Sequence, residues 1–448
     1  MKFKNPNVQK WVTLLAVALT GGVINKICYL RETYYAPLQQ ATGATNAELG
    51  MLMSVFGIAN FIFYFPGGVI ADKFSPKKLI VFSCFATALA GLWYSTFPPY
   101  RVLMFIHFIF AVTTVFTFWA AMVKIVNNIG TPDEQGRMFG SLEGARGAFG
   151  ALAAFCSVYF FNRAGEGISG LHATVIYYSV LLVIAGILAA IFIQEPESVK
   201  IKKRVKGEAK DPKEKLNKGD VLKVLKMPRI WLAGIIVLAN YSALIFHGMI
   251  TPYLTEAFGL SESTVATLST IRTYVMMMIG AIVAGVLADK IGSVIKFMKY
   301  GFIGMTIFSI GYLLIPANHD KVWMIVLNFI IYGLCLYSIK ALYFATIDEV
   351  LIPKKLAGTA SGIISLVGYC PEMFMYVWVG NIVDNSPGLT GYHQVFMWMI
   401  GFAVVGFISA TLLLYLNNKA RKKAIAEGRL DENGMLIEDV VVEETVAE

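Results

Sequence analysis

Charged residues are scarce in this chain: Asp, Glu, Lys and Arg make up 15% of its 448 residues, against roughly 25% in soluble domains. That shortage excludes an ordinary water-soluble globule. Cysteine is scarce too, and its five copies, Cys28, Cys84, Cys156, Cys335 and Cys370, stand far apart inside apolar runs. The spacing excludes a disulfide framework or a zinc site and leaves buried free thiols as the expectation. There is no metal-ligand cluster, no nucleotide-binding glycine loop and no nucleophile constellation. An enzyme, a metal and a cofactor are therefore not expected.

What the chain has in abundance is apolar residues, 57% of the total, with a mean hydropathy of +0.64. A bilayer-spanning helix needs about 20 such residues. Runs of that kind can be drawn at 11–36, 47–71, 78–98, 100–127, 137–161, 170–194, 229–257, 262–288, 295–316, 321–350, 356–380 and 390–416, twelve in all. The first begins like a signal peptide but runs on to Ala36 and contains charges, so it is expected to be retained.

The net charge of +9 could suggest nucleic acid, but its distribution points elsewhere. Lys and Arg gather on alternate loops: Lys2, Lys4 and Lys10; Lys73, Lys77 and Lys78; Arg137; twelve from Lys200 to Arg229; Lys290, Lys296 and Lys299; Lys354 and Lys355; and Lys419 to Arg429. The opposite loops hold only Arg101, Arg163 and Lys321. The positive-inside rule makes both termini and the central loop cytoplasmic, in a bacterial-type inner membrane. The basic excess is first a topology signal, and second a handle on anionic lipid.

One stretch occurs twice, about half a chain apart. Gly68-Val69-Ile70-Ala71-Asp72-Lys73 is matched by Gly285-Val286-Leu287-Ala288-Asp289-Lys290, and upstream Gly43 and Gly259 fall in register. The repeat predicts an all-α membrane protein of twelve transmembrane helices in two pseudo-symmetric six-helix bundles, the layout of a secondary transporter. The expected divisions are a first bundle over 1–196, a cytoplasmic linker over 197–226, a second bundle over 227–416 and a cytoplasmic tail over 417–448. Gly68, Asp72, Lys73, Gly285, Asp289 and Lys290 are expected to gate it. The glycines would permit close helix approach, and each Asp would latch the cytoplasmic side shut; the plainer alternative is a pair of short solvated loops.

A charge left at bilayer depth costs at least about 2.5 to 3.5 kcal/mol, so each should face a cavity or a partner. The first span holds Lys26, Arg31 and Glu32; the fifth Glu143 and Arg146; the eighth Arg272; the tenth Lys340; the eleventh Glu372. On a regular helix Lys26 and Arg31 would stand about 140° apart, and Glu143 and Arg146 would be neighbours. Arg146 is then either neutralised by Glu143 or converges with Arg31 on an anion, which a guanidinium can grip with two parallel bonds. The candidate substrate contacts are Arg31, Arg146, Lys26, Lys340, Tyr64 and Tyr274. Glu143, Glu32 and Glu372 are candidate protonation sites. Tyr64, Tyr241, Tyr274 and Trp119 either line a cavity or pack.

The two Gly-to-Lys turns resemble the signature loop of the major facilitator superfamily, although the first has Ser75-Pro76 where that loop usually carries Gly. Tyr29-Leu30-Arg31, Glu134 to Arg137, Pro353 to Gly362 followed by Gly368-Tyr369, and Ile382-Val383-Asp384 with Gly391-Tyr392 are similar to its organophosphate antiporter branch and to its YihN-like members. The resemblance implies an anion-binding role for Arg31. The branch's partner arginine on the seventh helix falls here on Ala243, and its histidine on the fifth helix on Arg146. The expectation is a monomeric alternating-access carrier of a small organic anion, such as a sugar phosphate, sugar acid or sulfonate, coupled to protons or a counter-anion. A carrier-like sensor that binds such a ligand without moving it is the alternative. The short, polar linker and tail favour transport.

Overall fold

A computed structural model of the chain describes residues 5–129, 134–194, 222, 224–352 and 356–428. Most of the expected linker, and the tail beyond Gly428, lie outside the described residues. No strand occurs among the described residues, and eleven helices are long and apolar enough to cross a membrane. The uninterrupted spans are the second, Asn46–Lys73, the third, Pro76–Tyr94, the fifth, Gln135–Arg163, the sixth, Gly167–Phe192, the ninth, Val294–Leu314, and the twelfth, Leu389–Ala426.

The first span is broken. Pro6–Val23 gives way to turns over 24–29, a 3₁₀ turn at Leu30–Glu32 and a second helix, Tyr35–Thr42. Gly21 and Gly22 weaken the helix just before the break. Pro37, which has no N–H to return to Thr33, allows a helix to begin there but not to run through.

Other spans are interrupted without losing direction. The fourth widens into a π-helix at Val112–Trp119, between Tyr100–Ala111 and Ala120–Ile129. There the Thr117 hydroxyl donates to the carbonyls of Val112 and Thr113, both at 3.2 Å, which relieves the strain a wide turn puts on backbone pairing. Ser83 and Thr87 of the third span bond to Thr117 and Thr113 at 2.7 and 2.8 Å. The eighth span has a π-segment at Ile271–Met276, between Glu262–Thr270 and Met277–Ile291. In the eleventh, Ala357–Tyr369 passes through a 3₁₀ turn, Cys370–Met373, into Met375–Asn385. Pro371 cannot donate to the Val367 carbonyl; the Cys370 thiol does so instead, at 3.1 Å. The seventh span comprises Pro228–His247 and Ile250–Phe258, and the tenth runs through Val322–Leu342 to a last turn at Thr346–Glu349.

The repeat is visible in the backbone. Gly43 and Gly259 both end a helix in the left-handed region, at φ of 64° and 66°, where glycine carries no Cβ penalty. Thr45 and Ser261 then cap the next helix, accepting from the N–H of Glu48 and of Thr264. The charged turns also match: Ser75 accepts from Lys78 N–H at 3.2 Å and Ser293 from Lys296 N–H at 3.1 Å. Ser75-Pro76, the departure from the family loop, thus serves as a cap followed by proline at the first helical position, where its missing N–H costs nothing.

Two compact units emerge. One consists of the first half together with Ile250–Tyr274 and Tyr376–Asp384; the other holds the rest of the second half. In the first unit, spans one and five pack through Gly22 and Gly150, where an added Cβ would stand 3.1 Å from Gly150 N and 3.2 Å from Gly22 O respectively. Close packing thus accounts for Gly150 but not for Gly140, Gly144 and Gly147, whose Cβ positions meet nothing within 4 Å. The expected close approach at Gly68 and Gly285 is likewise absent; the tight contact falls one residue earlier, where Gly67 faces the Phe116 carbonyl. In the second unit Arg229, fully buried, donates to the Val350 carbonyl at 2.9 Å. Glu349 caps the ninth span through Ser293 Oγ and Ile295 N–H.

Candidate functional site: two guanidiniums on one carboxylate

The interruptions place the charged side chains. Arg31 and Glu32 stand in the 3₁₀ turn of the first span, and Arg272 and Tyr274 in the π-segment of the eighth. Arg272 Nη2 lies 3.2 Å from Glu32 Oε2, and Arg31 Nη1 lies 3.6 Å from Glu32 Oε1. Both arginine side chains are only 2% exposed, while the Glu32 side chain is 20% exposed. Arg272 Nη2 also reaches the Glu32 carbonyl at 3.5 Å. The Arg31 guanidinium stands over the rings of Tyr35 and Tyr376, at 4.9 and 5.1 Å from their centroids. Such stacking holds a planar cation while leaving its N–H edge available to an anion.

Lys26 joins the same unit, with Nζ 3.8 Å from the centroid of Tyr274. Gly150 makes the room: a Cβ there would come within 3.1 Å of the Tyr274 ring and 3.3 Å of Lys26 Nζ. Lys26, Arg31, Arg272 and Glu32 sum to a formal charge of +2, an arrangement suited to an anionic ligand.

Arg146 lies against the first span, its Nε 2.8 Å from where a Cβ on Gly21 would stand. It pairs with Glu143, whose side chain is 61% exposed, and lies over Trp119 at the end of the fourth span's π-segment, 5.2 Å from the ring centroid. The pairing expected from their spacing is present; the arginine that Arg31 meets across Glu32 is Arg272. Tyr64 is 57% exposed on the second span. Lys340, in the second unit, lies 5.6 Å from the Tyr337 ring centroid. Glu372 sits in the 3₁₀ turn of the eleventh span, and Ala243 is buried without exposure. Among the residues expected to gate, Asp72 meets Lys124 at 3.3 Å with its own side chain 81% exposed, and Lys124 also donates to the Ala71 carbonyl at 2.6 Å. Lys73, Asp289 and Lys290 are exposed.

Two acidic contacts went unread in the sequence. Asp384, at the end of the eleventh span, accepts from Asn46 N–H, Asn46 Nδ2 and Ala47 N–H at 3.0, 2.7 and 2.8 Å. Glu262, at the start of the eighth, accepts from Gln40 Nε2 at 3.1 Å and Gly167 N–H at 2.9 Å. Both carboxylates answer helix N-termini, where unpaired N–H groups and the dipole favour negative charge. Partners 95 to 338 residues away leave no signal in a single sequence. Tyr35 links Asp384 to the cluster: its ring lies beside Arg31, and its hydroxyl donates to Asn46 Oδ1 at 2.6 Å.

Residues 32–374 match the sequence model described as "Major Facilitator Superfamily". The inner membrane proteins YqcE and YihN of Escherichia coli (strain K12) are each 29% identical to this chain. YqcE aligns over 91% of this chain and 95% of its own length, and YihN over 93% and 98%. A hexuronate transporter of Bacillus subtilis (strain 168) is 23% identical over 91% of this chain and 95% of its own. In fold, the chain is similar to a crystal structure of a bacterial homolog of the human lysosomal transporter Spinster. The TM-score is 0.71 with 13% identity, covering 93% of this chain and 98% of that one; a likeness at that identity bears on the fold alone.

Proposed function

The chain belongs to the Major Facilitator Superfamily, and on that footing we propose that it carries a small organic anion across the inner membrane by alternating access, acting as a monomer with both termini in the cytoplasm. The observation that carries the reading is the meeting of two guanidiniums, each 2% exposed, at the Glu32 carboxylate. Buried arginines are costly unless answered by an anion. A carboxylate or phosphoryl group can take the place of Glu32 with two parallel N–H bonds from a planar fork. Lys26 and the Tyr35, Tyr274 and Tyr376 rings supply a third cation and amphipathic walls for the rest of the ligand. The relation to a hexuronate transporter favours sugar acids within the class, alongside sugar phosphates and sulfonates. Coupling to protons or to a counter-anion belongs to the same proposal.

The test is thermal unfolding of purified protein against a panel of glucuronate, galacturonate, glucose 6-phosphate, a sugar sulfonate and the matching neutral sugars. Stabilisation by at least one anion, absent with its neutral counterpart and lost in Arg31→Ala and Arg272→Ala, is the expected result. Stabilisation by neutral sugars alone, or an anion effect unchanged in both variants, would sink it.

A further inference from the structure

The cluster contains an anion of its own. Among the described ion pairs, Glu32 is the carboxylate that meets both guanidiniums; Glu143 is engaged by Arg146, and Asp384 by the N-terminus of the second span. The contacts of Glu32, at 3.2 and 3.6 Å, are longer than the 2.7–2.9 Å of an optimal charge-assisted bond. Glu32 is therefore placed to neutralise the site and, because it is loosely held, to yield to a ligand with better geometry.

Resting on the anion-site reading, we propose that Glu32 is the counter-charge of the empty carrier: it neutralises Arg31 and Arg272 between loads, so that the unloaded protein can reorient and net transport, not only exchange, is open to it. An alternating-access carrier passes through a state in which the site is closed and dehydrated. With a ligand aboard, its anionic group answers the guanidiniums. Without one, the contact with Glu32 is, among the described ion pairs, what offsets the cost of holding two arginines almost out of solvent in a low-dielectric interior. An internal counter-charge lowers the cost of the empty return, and without it exchange of one anion for another is the cheaper cycle. This chain carries one at the adjacent residue, on the same 3₁₀ turn that holds Arg31.

The variant is Glu32→Gln, with Glu32→Asp as the conservative control. The first readout needs no ligand: deuterium exchange of empty protein in nanodiscs, over 45–50 and 376–384. These segments meet through Asp384 and report opening. Glu32→Gln is expected to shift their exchange rates at least tenfold from wild type, with glucuronate or glucose 6-phosphate moving them back and Glu32→Asp lying near wild type. The second readout is flux of the same two labelled probes in proteoliposomes. Net uptake into unloaded vesicles is expected to fall at least tenfold in Glu32→Gln, and counterflow into preloaded vesicles less than threefold. Wild-type exchange rates in empty Glu32→Gln, or net uptake and counterflow falling together, overturn the inference. So does a wild type that moves its ligand only by exchange. Failure of both probes to stabilise the wild type strikes the anion-site reading instead, and the ligand-free measurement decides this one independently.

Discussion

Asp384 grips Asn46 twice, taking its backbone N–H at 3.0 Å and its side-chain amide at 2.7 Å, and so ties the end of the eleventh span to the start of the second. Replacing it with Ala deletes these contacts and the one from Ala47 N–H. Hydrogen bonds to charged groups are worth about 1.5–3 kcal/mol each, so Asp384→Ala is expected to raise deuterium exchange over 45–50 by at least about tenfold. Unchanged protection there would mean that the backbone packing of Gly50 on Tyr376 and of Gly380 on Asn46 holds the junction alone.

Arg272→Ala is expected to remove ligand-dependent stabilisation as completely as Arg31→Ala does, and Arg31→Lys to restore little, since an ammonium lacks the planar fork and the stacking on Tyr35 and Tyr376. Arg146→Ala is expected to leave binding within about threefold, a difference under about 1 kcal/mol, because Arg146 is already engaged by Glu143 and Trp119. Calorimetric titration of the four variants with the stabilising anion checks both statements. A larger loss in Arg146→Ala than in Arg272→Ala would make Arg146 the stronger ligand contact of the two.

The glycines of the fifth span give a paired test. Gly150→Ala pushes against Tyr274, Lys26 and the Gly22 carbonyl, and overpacking of this kind costs about 1–3 kcal/mol. Gly144→Ala meets nothing within 4 Å and exchanges glycine for a better helix former, a change of up to about 1 kcal/mol in favour of the fold. Thermal unfolding of the two variants is expected to move in opposite directions, with ligand affinity reduced in Gly150→Ala only.

Asp72→Asn removes an ion pair whose acid is 81% exposed, and exposed pairs contribute about 0–1 kcal/mol. Its melting temperature is expected to stay close to that of wild type. The gating role assigned to the charged turns calls for a different signature: slowed transport, with affinity changed only as far as the conformational balance moves. Ligand binding abolished in Asp72→Asn would place the residue in the site and remove it from the gate.

The orientation expected from the charged loops is checked with a reporter cysteine at Lys422, in the last helix. Impermeant maleimide added to intact cells is expected to leave it unlabelled until the membrane is opened. Labelling from outside would reverse the topology.

Apolar runs and the duplicated turn carried the twelve-span layout, because hydropathy and a repeated glycine-to-lysine stretch survive any detail of packing. The Glu143–Arg146 pair was legible as well, since residues three apart on an unbroken helix are neighbours. The contact of Glu32 with Arg272 was not. It joins residues 240 apart, and both lie where the backbone leaves the 3.6-residue period, so the 140° reckoned between Lys26 and Arg31 does not apply across turns 24–29. Arg272 was conspicuous only for the cost of burying it. Its partner could not be read from spacing.

The wide turn at Ile271–Met276 bears on how the two halves compare. Gly259 stands 216 positions after Gly43, yet Gly285 stands 217 after Gly68. Between these landmarks the second half has gained one residue, and the wide turn is where a helix can absorb it without rotating the remainder of the span by the 100° that one residue would otherwise impose. The capping serine on one side and the Gly-to-Lys stretch on the other therefore keep their places in the duplicated pattern. The extra residue is taken up in the segment that bears Arg272, so between these two landmarks the register of the repeat is broken by one insertion, at the point where the second buried guanidinium enters. Deleting one residue from 271–276 would restore the register between these two landmarks and carry that arginine away from Glu32.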